Sequence, residues 1–189
     1  MTLTAIDPRS ALVVIDLQKG IVSALDDPAV TDAVEHAAHL AAQFRRHTLP
    51  VVLVNVTGRA PGRTEDGRPG SRTAALPTGW ADLVDELDVQ PSDHLLTKRR
   101  RSAFHDTGLD TLLRDLGITQ IVLAGISTSS GVESTARSAS DHGYHVVLAT
   151  DAMTDPDAEA HRHSVERVFP RIGETATTAE VVDMVEATR

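Results

Sequence analysis

Asp16 and Lys98 each stand at the end of a run of apolar residues, and a serine- and threonine-rich turn around Gly131 follows a third such run. A carboxylate facing an ammonium can exchange protons with a substrate and hold the charge that develops there. The turn, Gly125-Ile126-Ser127-Thr128-Ser129-Ser130-Gly131-Val132-Glu133, leads from an apolar run into helical spacing. Hydrolases often place a nucleophile at such a strand-to-helix turn. No cysteine occurs in the 189 residues, so thiolate chemistry is excluded. What remains is acid–base chemistry, or a hydroxyl nucleophile with a base in reach.

Each candidate has a plainer reading. Asp16 could equally cap a turn. Lys98 is followed by Arg99, Arg100 and Arg101, which together read as a basic surface cluster. Alternate residues of an extended segment face opposite ways, however, so these four cations cannot share one environment. One that turns inward needs a carboxylate, and Asp16 is the obvious partner. Ser130 fits a capping box with Glu133 better than it fits a nucleophile. Gly131 lets a ligand approach the backbone, and a helix starting there offers free N–H groups to an oxyanion. Arg59, Arg63, Arg99 and Arg101 are candidates to grip a substrate carboxylate, with solvated arginine as the default for each. The nine histidines include His161 and His163, whose spacing puts them on different helix faces. They read as solvated surface residues, so no metal is expected. No glycine-rich phosphate loop is present, and no cofactor is expected.

Short apolar runs alternate with segments of helical period. Residues 11–16, 50–56, 94–98, 120–125, 144–149 and 172–176 read as strands, the fifth ended by Thr150 and Asp151. Residues 30–47, 109–116, 131–142, 158–169 and 178–187 read as helices. Fully apolar strands separated by helices imply an α/β fold with a six-stranded parallel sheet covered on both faces. Ligands of such sheets bind beyond the carboxyl ends of the strands, where Asp16, Lys98 and the 127–131 turn all fall. Residues 57–78 form a long aperiodic stretch, a candidate lid or interface arm. The net charge of −9 argues against nucleic-acid binding. No apolar stretch is long enough to span a membrane and no signal peptide is evident, so a cytoplasmic protein with one domain over residues 1–189 is expected.

The runs Ala11-Leu12-Val13-Val14-Ile15-Asp16-Leu17-Gln18 and Leu96-Thr97-Lys98-Arg99-Arg100-Arg101-Ser102-Ala103-Phe104, together with Gly125 through Ala139, resemble the isochorismatase-like (cysteine) hydrolases. Gly143-Tyr144, Asp151-Ala152 and His161 continue the pattern. The resemblance implies a Rossmann-like three-layer α/β/α fold, a homodimer or homotetramer, and a catalytic Asp, Lys and Cys. The first two fall on Asp16 and Lys98, and the Cys position falls on Gly131. It also implies a cis peptide in the turn, with Ile126–Ser127 the candidate. Isochorismatases proper lack the Cys and cleave a vinyl ether, with the Asp as acid. The aromatics they show after the Lys and in the turn are here Arg99, Arg101 and Ser127. The implied function is hydrolysis of a small, anionic substrate without a Cys nucleophile, with Gly131, Ser127, Ser130, Arg99 and Arg101 in the binding site. The alternative is a retired member that binds a small molecule or a protein partner.

Overall fold

The computed structural model describes residues 3–58, 62, 65 and 76–188. Its centre is a parallel sheet of six strands in the order β3-β2-β1-β4-β5-β6. These are β1 (Ser10–Ile15), β2 (Val51–Val56), β3 (His94–Lys98), β4 (Gln120–Ile126), β5 (His145–Thr154) and β6 (Glu174–Ala176). Every residue of β1 and β4 is buried, which is why both read as unbroken apolar runs. The edge strand β3 instead alternates, and Leu95 is 60% exposed.

Helices cover both faces, as the pattern implies. On one side α2 (Pro28–Arg46) and α6 (Thr178–Ala187) bury residues such as Phe44, Leu40 and Val181 against Leu12, Val14 and Leu53. On the other, α3 (Leu109–Asp115) and α4 (Glu133–Asp141) bury Leu109, Leu113, Ala136 and Ala139 against Val13, Ile15 and Leu123. Asp27 caps α2 by accepting the Ala29 N–H, with Pro28 at the first helical position. Thr177 and Glu180 form a reciprocal capping box on α6. A short helix α1 (Lys19–Val22) after β1 and a tight turn at Asp85–Leu87 have no counterpart in the apolar pattern. Among the described residues, no helix is long and apolar enough to cross a membrane.

Three boundaries differ from the sequence-based expectation. β5 does not stop at Thr150 and Asp151 but runs to Thr154. Its register against β4 shifts, with Leu123 opposite Leu148 but Gly125 opposite Met153. The intervening residues bulge, and Ala149 pairs with Ala176 of β6. The expected helix over 158–169 is α5 (Ala158–His163), then a wide π-type turn at Ser164–Val168 and a tight one at Phe169–Arg171. The expected helix over 131–142 starts earlier, with a wide turn at Thr128–Val132 that continues into α4. Most of the 57–78 stretch, including Arg59 and Arg63, lies outside the described residues.

The strand order reverses at β1 and β4, which lie side by side although the chain leaves β1 for β2 and reaches β4 only after β3. A crevice opens at the carboxyl ends of such neighbours. Gly125 pairs with Ile15 at that point with φ +118°, and a Cβ there would stand 2.0 Å from the Ile15 carbonyl oxygen. Only glycine lets the two strands lie this close.

Candidate active site

Asp16 is the first residue past β1. Its backbone is left-handed, with φ 54°, a conformation Asp tolerates better than most residues. The Asp16 N–H still bonds the Val54 carbonyl at 2.8 Å, so the residue is anchored to the sheet while the chain turns away. Lys98 closes β3. The two residues are 5% and 2% exposed, and Lys98 Nζ donates to Asp16 Oδ2 at 2.7 Å. The opposite charges of the first and third strands therefore meet in one buried place. Lys98 Nζ also donates to the Arg100 carbonyl at 3.2 Å, which leaves one of its three N–H groups. Asp16 Oδ1 is buried and has no hydrogen-bond partner among the described residues. Burial pushes the Asp16 carboxyl up to about 6, against the opposing pull of Lys98. A buried carboxyl with one oxygen unpartnered and a titration point near neutrality can hold or release a proton.

Gly131 completes the arrangement from β4. A Cβ built on it would lie 3.0 Å from Ile15 Cγ2, 3.3 Å from Asp16 Oδ2 and 3.6 Å from Lys98 Nζ. Any side chain at position 131 would press on the ion pair, and glycine leaves that volume clear.

The isochorismatase domain matches residues 10–180 of the chain. The chain belongs to the isochorismatase family. Its relatives include the uncharacterized isochorismatase family protein YwoC of Bacillus subtilis, 41% identical over 94% of this chain and 95% of that one. An isochorismatase family protein from Burkholderia thailandensis has a structure that superposes with a TM-score of 0.89, at 39% identity over 96% of this chain and 98% of that one. Maleamate amidohydrolase of Pseudomonas putida is 27% identical over 92% of this chain and 85% of that one.

The turn that carries Gly131 in this family member is pinned on several sides. The Ile126–Ser127 peptide is cis, as the resemblance implies. The Ser127 carbonyl accepts from the N–H groups of Ser130 and Val132 at 3.1 and 3.2 Å. Thr135 Oγ1 donates to the Gly131 carbonyl at 2.7 Å and accepts from Ala103 N–H at 3.0 Å. This ties the turn to the loop that follows Lys98. A second tie joins that loop to α4, where Ser102 and Ser138 share a hydroxyl hydrogen bond of 2.8 Å.

The expected capping box of Ser130 and Glu133 does not form. The helical turns begin at Thr128, so Ser130 already lies inside them. Glu133 instead accepts from Ser164 Oγ at 2.7 Å and Arg137 Nε at 3.0 Å. Arg99 and Arg101, in the bend that follows Lys98, are exposed. The surface reading of His161 is also corrected. Its Nδ1 lies 2.8 Å from Oγ1 of the fully buried Thr128, and burial lowers the pKa of the ring. Beside it, Asp155 Oδ2 accepts from both N–H and Oγ of Ser129 at 2.8 and 2.7 Å. These contacts cross from the segment after β5 to the turn after β4, a proximity that spacing along the chain does not reveal.

Gln18, fully buried, was also missed. It bridges β2 to the 80–84 segment through the Val56 N–H, the Val56 carbonyl and the Trp80 carbonyl. Asn55 donates to the Ala81 carbonyl at 2.8 Å. The single tryptophan, Trp80, lies against Gly20, where a Cβ would stand 2.0 Å from its Cδ1. This segment is thereby bolted to the chain leaving β1, beside the crevice.

Proposed function

We propose that this isochorismatase-family protein hydrolyses a small anionic substrate without a covalent thiol intermediate. Asp16 acts as general acid and Lys98 as its electrostatic partner. Cleavage of a carboxylate-bearing vinyl ether fits these parts. Asp16 gives its proton to the terminal carbon of the enol ether, forming an oxocarbenium ion. Water adds to the oxygen-bearing carbon of that ion, and its proton returns to the Asp16 carboxylate. The resulting hemiketal collapses to a carbonyl compound and an alcohol. Every atom of the products then comes from substrate and water.

The observation that carries this reading is the cleared volume at Gly131 beside a buried carboxyl that titrates near 6. A general acid is most effective when its pKa lies near the working pH. The thiolate route to amide hydrolysis is closed, because the chain contains no cysteine. Ser127, Ser130, Arg99 and Arg101, with Arg59 and Arg63, are the proposed contacts for the anionic part of the substrate.

The test is turnover of a panel of small vinyl-ether carboxylates, amides and carbamoyl compounds by the wild type, Asp16→Asn and Lys98→Ala. The expected result is wild-type cleavage of a vinyl ether and a loss on the order of 10²–10⁴ in Asp16→Asn. Undiminished turnover in Asp16→Asn overturns the acid assignment. Tight binding of a compound with no conversion of any supports a retired, ligand-binding member instead.

A further inference from the structure

Two contacts reach the Gly131 turn from one side. Thr128 Oγ1 meets His161 Nδ1 at 2.8 Å, and Ser129 bonds Asp155 Oδ2 through both its N–H and its hydroxyl. We propose that His161 and Asp155 form a clamp that holds the Thr128–Val132 turn against the Asp16–Lys98 pair and keeps that crevice dry. Both are positioning residues, acting through the turn rather than on a substrate. The inference concerns the same site as the proposed hydrolysis, but it rests only on the geometry of the ion pair and the turn.

The clamp acts where local helix chemistry is weakest. Thr128, Ser129, Ser130 and Gly131 are all poor helix formers. The wide turn closes on the Ser127 carbonyl, which accepts both the Ser130 and the Val132 N–H. Propensity therefore gives this turn little support of its own, and side-chain ties from neighbouring segments add to its backbone hydrogen bonds. Thr135 holds the Gly131 carbonyl from the far side through Ala103. His161 and Asp155 hold the near side, where Thr128 is fully buried. The clamp has its own foundation. The side chain of Asp157 caps α5 by accepting from the N–H groups of Glu159 and Ala160, and Asp155 Oδ1 accepts from the Asp157 N–H at 3.1 Å. The carboxylate that holds Ser129 is thus fixed by the start of the helix that carries His161.

The Asp16 carboxyl reports on this arrangement. Its elevation is caused chiefly by burial, so whatever lets water past the Gly131 turn must lower it. Among the described residues, the hydroxyl of Thr128 and the ring of His161 bond each other and make no hydrogen bond to Asp16. A purely structural role for them would change stability and leave the Asp16 midpoint alone.

The experiment is a carbon-13 NMR titration of the Asp16 side-chain carboxyl in the full chain, alongside thermal melts. The variants are Thr128→Val, His161→Leu and His161→Asn. Thr128→Val keeps the buried shape and removes only the hydroxyl. His161→Asn keeps a polar atom near the position of Nδ1. The wild-type midpoint is expected near 6, falling by about one unit or more in Thr128→Val and His161→Leu as the crevice hydrates. His161→Asn is expected to recover most of that fall. An Asp16 midpoint that stays at the wild-type value in Thr128→Val overturns the clamp, whatever the melting temperature does. If His161→Leu does not fold, Thr128→Val alone decides. No substrate is needed, so the clamp and the proposed hydrolysis fail separately.

Discussion

Two ion pairs sit at opposite ends of β3, Asp16–Lys98 buried and Arg45–Asp93 part-buried, and they are built differently. Arg45 of α2 grips Asp93, just ahead of β3, with two parallel hydrogen bonds: Nε to Oδ1 at 3.0 Å and Nη2 to Oδ2 at 2.7 Å. The Gln90 N–H adds a third bond to Oδ2, and the Leu87 carbonyl takes a further bond from Arg45. That pair is closed, with both carboxylate oxygens engaged. Asp16 and Lys98 share one bond through Oδ2, and among the described residues Oδ1 has none. A buried acceptor without a partner carries a desolvation cost, typically about 1–3 kcal/mol. The closed pair locks α2 to the approach of β3. The open pair, held on a left-handed residue next to a glycine, is left able to act on something else. Both pairs are shielded from water, though to different degrees, and they differ in which hydrogen-bonding positions are filled.

Breaking each pair should separate stability from activity. Lys98→Ala is expected to lose turnover on the order of 10²–10⁴ in kcat, read on whichever substrate the wild type cleaves. Asp93→Ala is expected to cost about 1–3 kcal/mol in urea unfolding, because it takes two hydrogen bonds from the part-buried Arg45 guanidinium, with kcat of the folded fraction unchanged. If Asp93→Ala lowers kcat as much as Lys98→Ala does, the functional distinction between the pairs is wrong.

The open pair should also give activity a pH signature. A general acid works in its protonated form, and Asp16 titrates at about 6 in the folded protein. Turnover should then fall roughly tenfold per pH unit above that point. Stability should respond in the same window. The folded pKa is raised from 3.8, so the native state binds the proton more tightly than the unfolded chain does. The contribution of Asp16 to stability is full below the unfolded value and is lost as pH rises through about 6. A rate that is flat from pH 5 to pH 8 would remove Asp16 as the acid.

Two smaller changes sharpen the comparison. Gly131→Ala fills the cleared volume, and its Cβ would crowd Ile15 Cγ2 at 3.0 Å. Turnover is expected to fall several-fold. Stability should move by no more than about 1 kcal/mol, since alanine favours the helix by a similar amount. Full activity in Gly131→Ala would mean that the space is not used. Ser130→Ala is expected to change turnover by no more than a few-fold, because Ser130 lies within the turn and has no capping partner. Complete loss would make its hydroxyl the nucleophile.

The central strands were legible because parallel strands buried on both faces leave a plain apolar signature, as in Ala11 to Ile15 and Ile121 to Ala124. The meeting of Asp16 and Lys98 was legible too, since each closes a strand and alternation forces one cation of the 98–101 run inward. The start of the α4 region was not. Serine, threonine and glycine at 128–131 carry weak helix signals, and a wide turn closed by the Ser127 carbonyl has no pattern in side-chain spacing. The ties from His161 and Asp155 were hidden for another reason. They depend on the bulge that carries β5 past Asp151 to Thr154 and sets where the following segment lands. That long-range register leaves no local trace.

The most direct measurement is the carbon-13 titration of the Asp16 carboxyl in the wild-type protein, assigned by the disappearance of its signal in Asp16→Asn. A midpoint near 6 is the result expected of a dry carboxyl held half-open against Lys98. A midpoint at or below the ordinary 3.8 would mean that Lys98 outweighs burial and Asp16 stays ionised, and the acid chemistry built on it would fall.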